Sequence, residues 1–356
     1  MVAPISAMCR WRTRRPARLL PPITSPFFAN HPPPLIIDEV QRLPEIVSAV
    51  QTIVDSHRDR CGQFILTESQ QTQLATVIDE SLAGRTSVLD LLPLSVEELG
   101  AARNGSSVDE CLCRGFMPGL HSRRMRSFNY YRNYFRTYVE RDVRRQVNVK
   151  DLLLFERFAT LLAGRVGQVV NFTSLANETG DAVSTISAWL SVLESSFLVF
   201  RLPPHFANIA KRVVKSPKVY FTDVGLATYL LGIESPSQIR SHPLRGSLFE
   251  NMVVADIRKG FTHRGREPGM AFYRTEKGFE IDVIVAIGEH IVPIEIKSSM
   301  AFGANLIRNL ETYCSEDVRA KSPMLLYDGD RLGALGEHGI QARNWKEFSL
   351  ANIRLT

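Results

Sequence analysis

Glycine is absent from the first 34 residues, and the motif G-x-x-x-x-G-K-[ST] occurs nowhere in the chain of 356 residues. The backbone amides and the lysine of that motif hold the phosphates of a nucleotide, so the sequence predicts no such phosphate cradle. Apolar runs are short, and none approaches the roughly 18 residues of a membrane-spanning helix. The five cysteines show no pairing at zinc spacing, which argues against a zinc site and predicts reduced thiols in a cytoplasmic protein.

The composition is that of an ordinary globular protein, with 44% hydrophobic and 22% charged residues, and the length predicts two or three domains. A net charge of +6 favours an anionic partner such as DNA and gives no indication of a membrane. Much of the positive charge lies in residues 1–18 and 123–145. Residues 1–34 combine arginines with a proline-rich run and lack the apolar segment of a secretory signal, which predicts a disordered basic leader.

From Leu35 onward the sequence predicts alternating strands and helices. Residues 35–37 are an apolar run that ends in Asp38 and Glu39, a pattern typical of a buried parallel strand. The elements expected after it are a helix over 44–57, a strand over 64–67, a helix over 74–83 and a strand over 87–92. This order predicts a parallel sheet covered by helices.

The rest of the chain divides into a helical part and a mixed part. Residues 128–163 are predicted to be mainly helical. A helix over 173–179, a turn at Gly180 and a helix over 183–195 form a helix–turn–helix pattern, and the runs at 197–202 and 219–221 fit the strands of a wing. The last part is expected to contain a helix over 248–260, strands over 270–275, 279–286 and 290–297, a helix over 303–313 and a strand over 323–327.

Several segments, taken together and in order, resemble one family: LIIDEVQRLPEI, FILTESQ, SLAGR, PLSVEEL, YVERDV, KSPKVYFTDVGL, and GFEIDVIV with IEIK. The family is that of the prokaryotic AAA-like ATPases whose members end in a domain of unknown function related to PD-(D/E)xK nucleases. The resemblance runs from about Leu35 to Tyr327. It implies an α/β fold class: a truncated AAA-like parallel-sheet domain, a central winged helix–turn–helix and a C-terminal restriction-endonuclease-like α/β domain. The expected domains are a leader at 1–34, the AAA-like domain at 35–100, a helical linker at 101–165, the winged helix at 166–240 and the nuclease-like domain at 241–356.

The resemblance assigns ATPase roles to residues near the first strands. Asp38 would hold Mg²⁺, Glu39 would polarise the attacking water, and Thr67 would contact ATP. A strand that simply reaches solvent is the alternative reading of the two acids. Arg85 resembles the family's arginine finger, and a surface arginine after a helix-capping glycine explains it equally well. The family also implies self-association through the ATPase domain.

Two departures from the family predict that ATP binding is defective. The phosphate-binding loop is missing, and Glu68 follows Thr67 where the family has glycine, which adds negative charge close to the triphosphate. A truncated or frame-shifted 5′ end of the gene would account for the missing loop.

The C-terminal part contains the residue types of a nuclease site. Asp282 lies in EIDV, and Glu295 and Lys297 follow in IEIK. By the resemblance, the two acids would hold Mg²⁺ and the lysine would orient or activate water. A solvated hairpin face with cross-strand ion pairs is the alternative.

Strand geometry predicts how these groups are arranged. The period of two places Glu280 beside Asp282, while Ile281, Val283 and Val285 are expected to share the opposite, core face. Glu250 matches a further metal-binding acid of the family. The spacing of Ser247 and Glu250 fits a helix capping box equally well.

The helix–turn–helix has two open interpretations. Its second helix contains no lysine or arginine, so the charge for DNA binding would have to come from the wing, at Lys211, Arg212, Lys215 and Lys218. A module used only for packing is the alternative. For the whole chain three functions stay open: an ATPase-family protein that binds ATP poorly, a Mg²⁺-dependent DNA nuclease, and a non-catalytic interaction module.

Overall fold

The structure is a computed structural model, and it forms two compact units, Met1–Val88 (unit 1) and Leu89–Thr356 (unit 2). The residues that it describes are 7–10, 26–40, 43, 45–68, 82–100, 105–123, 125–138, 152–205, 214–330 and 332–349.

Unit 1 contains a parallel sheet. Three of its described segments pair in the order β1 (Ala7–Arg10), β2 (Leu35–Asp38) and β3 (Phe64–Leu66). Two helices, α1 (Pro26–Asn30) and α2 (Glu45–Ser56), accompany the sheet. Alternate residues of β2 are buried and pack on the apolar face of α2, where Ile46 and Val47 are fully buried. The predicted strand at 35–37 and helix at 44–57 are therefore present, with small changes at their ends.

Three predictions for this part of the chain had other outcomes. The leader expected to be disordered contains β1 and α1, since pairing with β2 satisfies the backbone of residues 7–10. Residues 87–92 form no strand; Val88 and Leu91 are 70% and 90% exposed, and an apolar run without a pairing partner has no reason to become a strand. The predicted helix at 74–83 lies mostly outside the described residues.

Unit 2 begins with helices and ends with a sheet. Its first helices are α3 (Val96–Leu99), α4 (Val108–Arg114), α5 (Pro118–Ser122), α6 (Ser127–Tyr138) and α7 (Leu152–Ala163). The helix–turn–helix pattern follows as α8 (Phe172–Thr179) and α9 (Val183–Ser195), and the two strands after it, β4 (Val199–Leu202) and β5 (Lys218–Phe221), pair antiparallel. These four elements lie where the sequence predicts them. Next come α10 (Val224–Leu230), α11 (Pro236–Arg240) and the long helix α12 (Arg245–Thr262).

The turn between α8 and α9 depends on Gly180, whose φ of 85° lies in the left-handed region that ends many helices. No atom lies within 4 Å of the position that a Cβ would take. Gly180→Ala is therefore expected to lower the free energy of unfolding by about 1 kcal/mol, through backbone strain alone. Urea denaturation followed by tryptophan fluorescence measures this change. A loss of several kcal/mol would instead mean that the turn is packed against other groups.

The sheet of unit 2 has the order β10–β11–β9–β8–β7–β6. Its strands are β6 (Met270–Arg274), β7 (Glu280–Ile287), β8 (His290–Lys297), β9 (Met324–Tyr327), β10 (Gly333–Leu335) and β11 (Ile340–Asn344), with α13 (Arg308–Glu316) between β8 and β9. Strands β6, β7 and β8 are antiparallel neighbours, whereas β8 and β9 run parallel. The strands at 333–335 and 340–344 are absent from the sequence-based prediction.

A large hydrophobic cluster extends through most of unit 2, and a second, smaller cluster joins α13 to the six-stranded sheet. Helix α12 is buried on most of its circumference, and it contacts β5, β8, α4 and α10. A helix that is apolar on several faces joins the layers on each side of it. The structure therefore gathers the regions 101–165, 166–240 and 241–356 into a single compact unit.

Candidate functional site

The candidate site of unit 2 starts at an irregularity in the sheet. Tyr273 pairs with Ile281 and Ala271 pairs with Ile284, so that Asp282 and Val283 together face one residue of β6. Such a bulge turns the side chains of the bulged strand. The expected shared face of Ile281, Val283 and Val285 is therefore wrong, because Ile281 packs in one hydrophobic cluster and the two valines in another.

Three side chains of β7 and β8 form what we call the acid–lysine centre: Asp282, Glu295 and Lys297. Lys297 Nζ lies 3.1 Å from Asp282 Oδ2 and 2.7 Å from Glu295 Oε2. The backbone N–H of Ile296 donates to the same Asp282 oxygen at 2.8 Å. The two acids are 7% and 2% exposed, so the predicted residues do converge and the solvated hairpin face is excluded.

The two carboxyl groups of this centre interact directly. Burial raises the pKa of Glu295 well above its usual range, and the charge of Asp282 beside it raises it further. Burial also acts to raise the pKa of Asp282, but Lys297 and hydrogen bonds from Glu295 and from the Ile296 amide hold it below the ordinary value. The pKa values of the two acids are therefore moved apart, as expected for two carboxyl groups forced together away from water.

A second group, here called the Lys218 cluster, lies beside the centre: Lys218, Tyr220, Glu250 and Glu280. Lys218 Nζ is 3.0 Å from Glu250 Oε1 and 2.5 Å from Glu280 Oε1, and it is buried over the ring of Phe272. The hydroxyl of Tyr220 donates to the same Glu250 oxygen at 2.5 Å. Burial lowers the pKa of Lys218, but the nearby charges of Glu250, Asp282 and Glu280 outweigh burial and raise it.

Strand β5 is held against α12 by a side-chain amide. The backbone N–H of Phe221 donates to Asn251 Oδ1 at 2.7 Å, and Asn251 Nδ2 donates to the Phe221 carbonyl at 2.9 Å. Glu250 directly precedes Asn251 in the helix, so this pairing places Lys218 and Tyr220 close to its carboxylate. The capping-box interpretation of Glu250 is wrong, because α12 begins at Arg245 and Ser247 lies inside the helix.

Lys218 and Tyr220 are the site residues that the sequence-based interpretation missed. Lys218 is 2% exposed and paired with acids, so it is not the DNA-contacting wing residue that the pattern suggested, while Lys211 and Arg212 lie outside the described residues. Lys218 and Tyr220 are two positions apart on one strand, so their polar groups lie on the same face. This spacing was the signal in the sequence that could have identified them as site residues.

The residues of the acid–lysine centre fit a Mg²⁺ ion. Within the described part of the chain, no group of three or more histidine, cysteine, aspartate or glutamate side chains is arranged to hold a metal. Mg²⁺ needs fewer protein ligands, because it retains water and is commonly held by one or two carboxylates together with substrate phosphates. Asp282 and Glu295 supply such a pair, because two buried carboxyl groups lie together at a place where a cation would offset their negative charge.

The predicted acidic site of unit 1 is partly assembled. Thr67 Oγ1 donates to Asp38 Oδ1 and accepts from the backbone N–H of Glu39, which connects the ends of β2 and β3. Glu39 has a φ of 60°, an uncommon conformation for a residue other than glycine. Arg85 does not join these residues, since its Nε lies 2.7 Å from Asp55 of α2, and this guanidinium lowers the pKa of Asp55.

Family comparisons cover three successive parts of the chain. Residues 13–100 match an AAA domain, residues 105–237 match a domain of unknown function (DUF8612), and residues 245–348 match another domain of unknown function (DUF4143). The first match starts inside the predicted leader and reaches the end of the predicted AAA-like region. It indicates an ATPase-like protein.

Curated relatives have no described function. Uncharacterized proteins of Mycobacterium tuberculosis and Mycobacterium bovis are each 30% identical over 267 residues, which is 74% of this chain and 58% of the relative. An uncharacterized protein of Haemophilus influenzae is 25% identical over 243 residues, 64% of this chain and 58% of that protein. The chain thus spans less than two thirds of their length. The AAA domain and the C-terminal domain of unknown function together support a relationship of this chain to a prokaryotic AAA-like ATPase family.

Proposed function

We propose that the chain is an AAA-like ATPase-family protein whose C-terminal part acts as a Mg²⁺-dependent nuclease on DNA, through Asp282, Glu295 and Lys297. One observation carries the proposal: a bulged strand and its neighbour bring two buried carboxyl groups into contact beside a lysine that is 36% exposed. An ion pair kept only for stability has little reason to bury two acids against each other. The resemblance to PD-(D/E)xK enzymes supplies the reaction class.

The chemistry follows from the places of these groups. A bound Mg²⁺ would polarise the phosphodiester and favour attack by water. Asp282 and Glu295 would hold the cation between β7 and β8. Lys297 carries a positive charge at the edge of the centre, where it can orient the attacking water and stabilise the negative charge that develops on the phosphoryl oxygens. The acids themselves cannot attract DNA, so the cation and Lys297 must offset their charge.

A cleavage assay tests the proposal. The purified chain is incubated with plasmid or branched DNA in Mg²⁺, in Mn²⁺, and in EDTA. Cleavage is expected with either metal and should stop in EDTA. Absence of cleavage with both metals and both substrates would rule out the nuclease, as would cleavage that EDTA leaves unchanged.

The same preparation tests nucleotide binding. The 356 residues contain no G-x-x-x-x-G-K-[ST] motif, and Glu68 places a carboxylate next to Thr67. We therefore expect no ATP binding at micromolar concentrations in a calorimetric titration with Mg²⁺. Micromolar binding that Asp38→Ala abolishes would contradict this expectation and would make the Asp38–Thr67 pair a working nucleotide site.

A further inference from the structure

Two lysines face the acids of unit 2, and they differ in their freedom to move. Lys297 has 36% of its side chain exposed, whereas Lys218 has 2%. Lys297 can therefore turn toward solvent or substrate and release Asp282 and Glu295. Lys218 has no such path, because its ammonium is enclosed by Glu250, Glu280 and the ring of Phe272.

Lys218 also has the surroundings that a metal ion would have. Its Nζ lies within 3.0 Å of carboxylate oxygens from two different elements, Glu250 of α12 and Glu280 of β7. A cation between two such acids offsets their mutual repulsion, whether it is an ammonium group or a divalent ion. Since the ammonium is covalently attached to β5, it cannot exchange with solvent ions.

Strand β5 is held at both of its edges by backbone hydrogen bonds. Asn251 brackets Phe221 with two hydrogen bonds, and β4, which pairs with β5, leads into Pro204, which pairs with Phe272 of β6. Lys218 therefore reaches the site from β5, a strand that is held in place in this way and does not belong to the six-stranded sheet.

We propose that Lys218 permanently fills the place of a second cation, so that the site takes one divalent ion, at Asp282 and Glu295. The inference rests on the proposed nuclease function, and it specifies that function as one-metal chemistry. Glu250 then has a supporting role, in which it holds Lys218, and it is not a metal ligand.

Calorimetric titration with Mn²⁺ tests the inference through stoichiometry, without reference to activity. The parent chain is expected to bind one Mn²⁺. Lys218→Met removes the ammonium between Glu250 and Glu280, while Arg274 remains 3.5 Å from Glu280, so this variant should bind two. Lys277→Met is the matched control, since Lys277 is exposed in the turn between β6 and β7, and it should bind one. The thermal midpoint of Lys218→Met should also rise on adding Mn²⁺ by more than that of the control.

The possible results distinguish a failure of the proposed role of Lys218 from a failure of the proposed nuclease function. Two ions on the parent chain, or a single ion on a folded Lys218→Met variant, would overturn the role of Lys218 alone. No ion on the parent chain would overturn the nuclease site together with it. If Lys218→Met fails to fold, the variant Glu280→Gln tests the role of Lys218 instead. We expect this variant to bind one Mn²⁺ with less than about a tenfold change in Kd. Tenfold is the smallest loss typical of groups that directly support a metal ligand. A loss of Mn²⁺ binding in Glu280→Gln would make Glu280 a ligand and refute the proposal.

Discussion

Glu295→Gln is expected to reduce Mg²⁺-dependent DNA cleavage by at least about 100-fold, above the 10- to 100-fold typical of groups that only support a metal ligand. Glutamine keeps the shape of the side chain and removes the anionic oxygen that a hard cation prefers. Because burial and Asp282 raise the pKa of Glu295, its environment favours the neutral form of the side chain, and the neutral amide should preserve the fold. Initial cleavage rates at saturating Mg²⁺ measure the effect.

The control for this variant is Glu289→Gln. Glu289 is exposed at the turn that connects β7 and β8, so it belongs to the same hairpin but not to the site. Its rate should equal that of the parent chain. If both variants cleave at the parental rate, Glu295 is not a ligand, and the centre is an ion-pair network without chemistry. Thermal unfolding of both variants establishes that a lost rate is not lost structure.

The second large effect concerns stability. Asp223 is 2% exposed and accepts three hydrogen bonds: from the Phe116 N–H at 2.9 Å, the Tyr131 hydroxyl at 2.9 Å and the Gly225 N–H at 2.8 Å. These bonds connect the segment that follows α4 with α6 and α10 inside unit 2. Asp223→Ala leaves the Phe116 and Gly225 amides without their acceptor, while the Tyr131 hydroxyl keeps the Arg114 carbonyl at 3.1 Å, so the free energy of unfolding should fall by about 3 to 5 kcal/mol.

Tyr131 makes the same region intolerant of rearrangement. A Cβ at Gly225 would lie 2.5 Å from the Tyr131 ring, and a Cβ at Gly115 would lie 2.0 Å from its hydroxyl. Nearby groups therefore cannot move in to fill the space left by Asp223. Asp330→Ala, at an exposed position, should change the unfolding free energy by less than about 0.5 kcal/mol. Denaturant unfolding measures both variants, and a loss below about 1 kcal/mol at Asp223 would show that water reaches these donors.

The sequence predicted local elements better than their assembly. Apolar runs flanked by turn residues located β2, β7, β8 and β9, and Gly180 located the turn between α8 and α9. Those signals are local, because strand period and backbone conformation are encoded within a few residues. The joining of three expected regions into unit 2 was missed, since burial of α12 on several faces depends on elements distant in the chain.

The same limit applies to the site. Asp282, Glu295 and Lys297 could be grouped from the sequence because they lie on adjacent strands of one hairpin. Lys218 and Tyr220 could not, since they come from a strand that precedes the hairpin by more than 50 residues and reaches it only through tertiary packing. The bulge at Asp282 was also missed, because nothing in EIDV departs from regular alternation.

Mapping where a divalent cation binds tests the proposed nuclease centre most directly. Fe²⁺ with ascorbate and peroxide generates radicals that cut the backbone close to the bound ion, and mass spectrometry locates the cuts. We expect cuts in β7 and β8, near Asp282 and Glu295, that excess Mg²⁺ suppresses and Glu295→Gln removes. Cuts confined to other segments, or unchanged in Glu295→Gln, would contradict a metal-dependent nuclease at this centre.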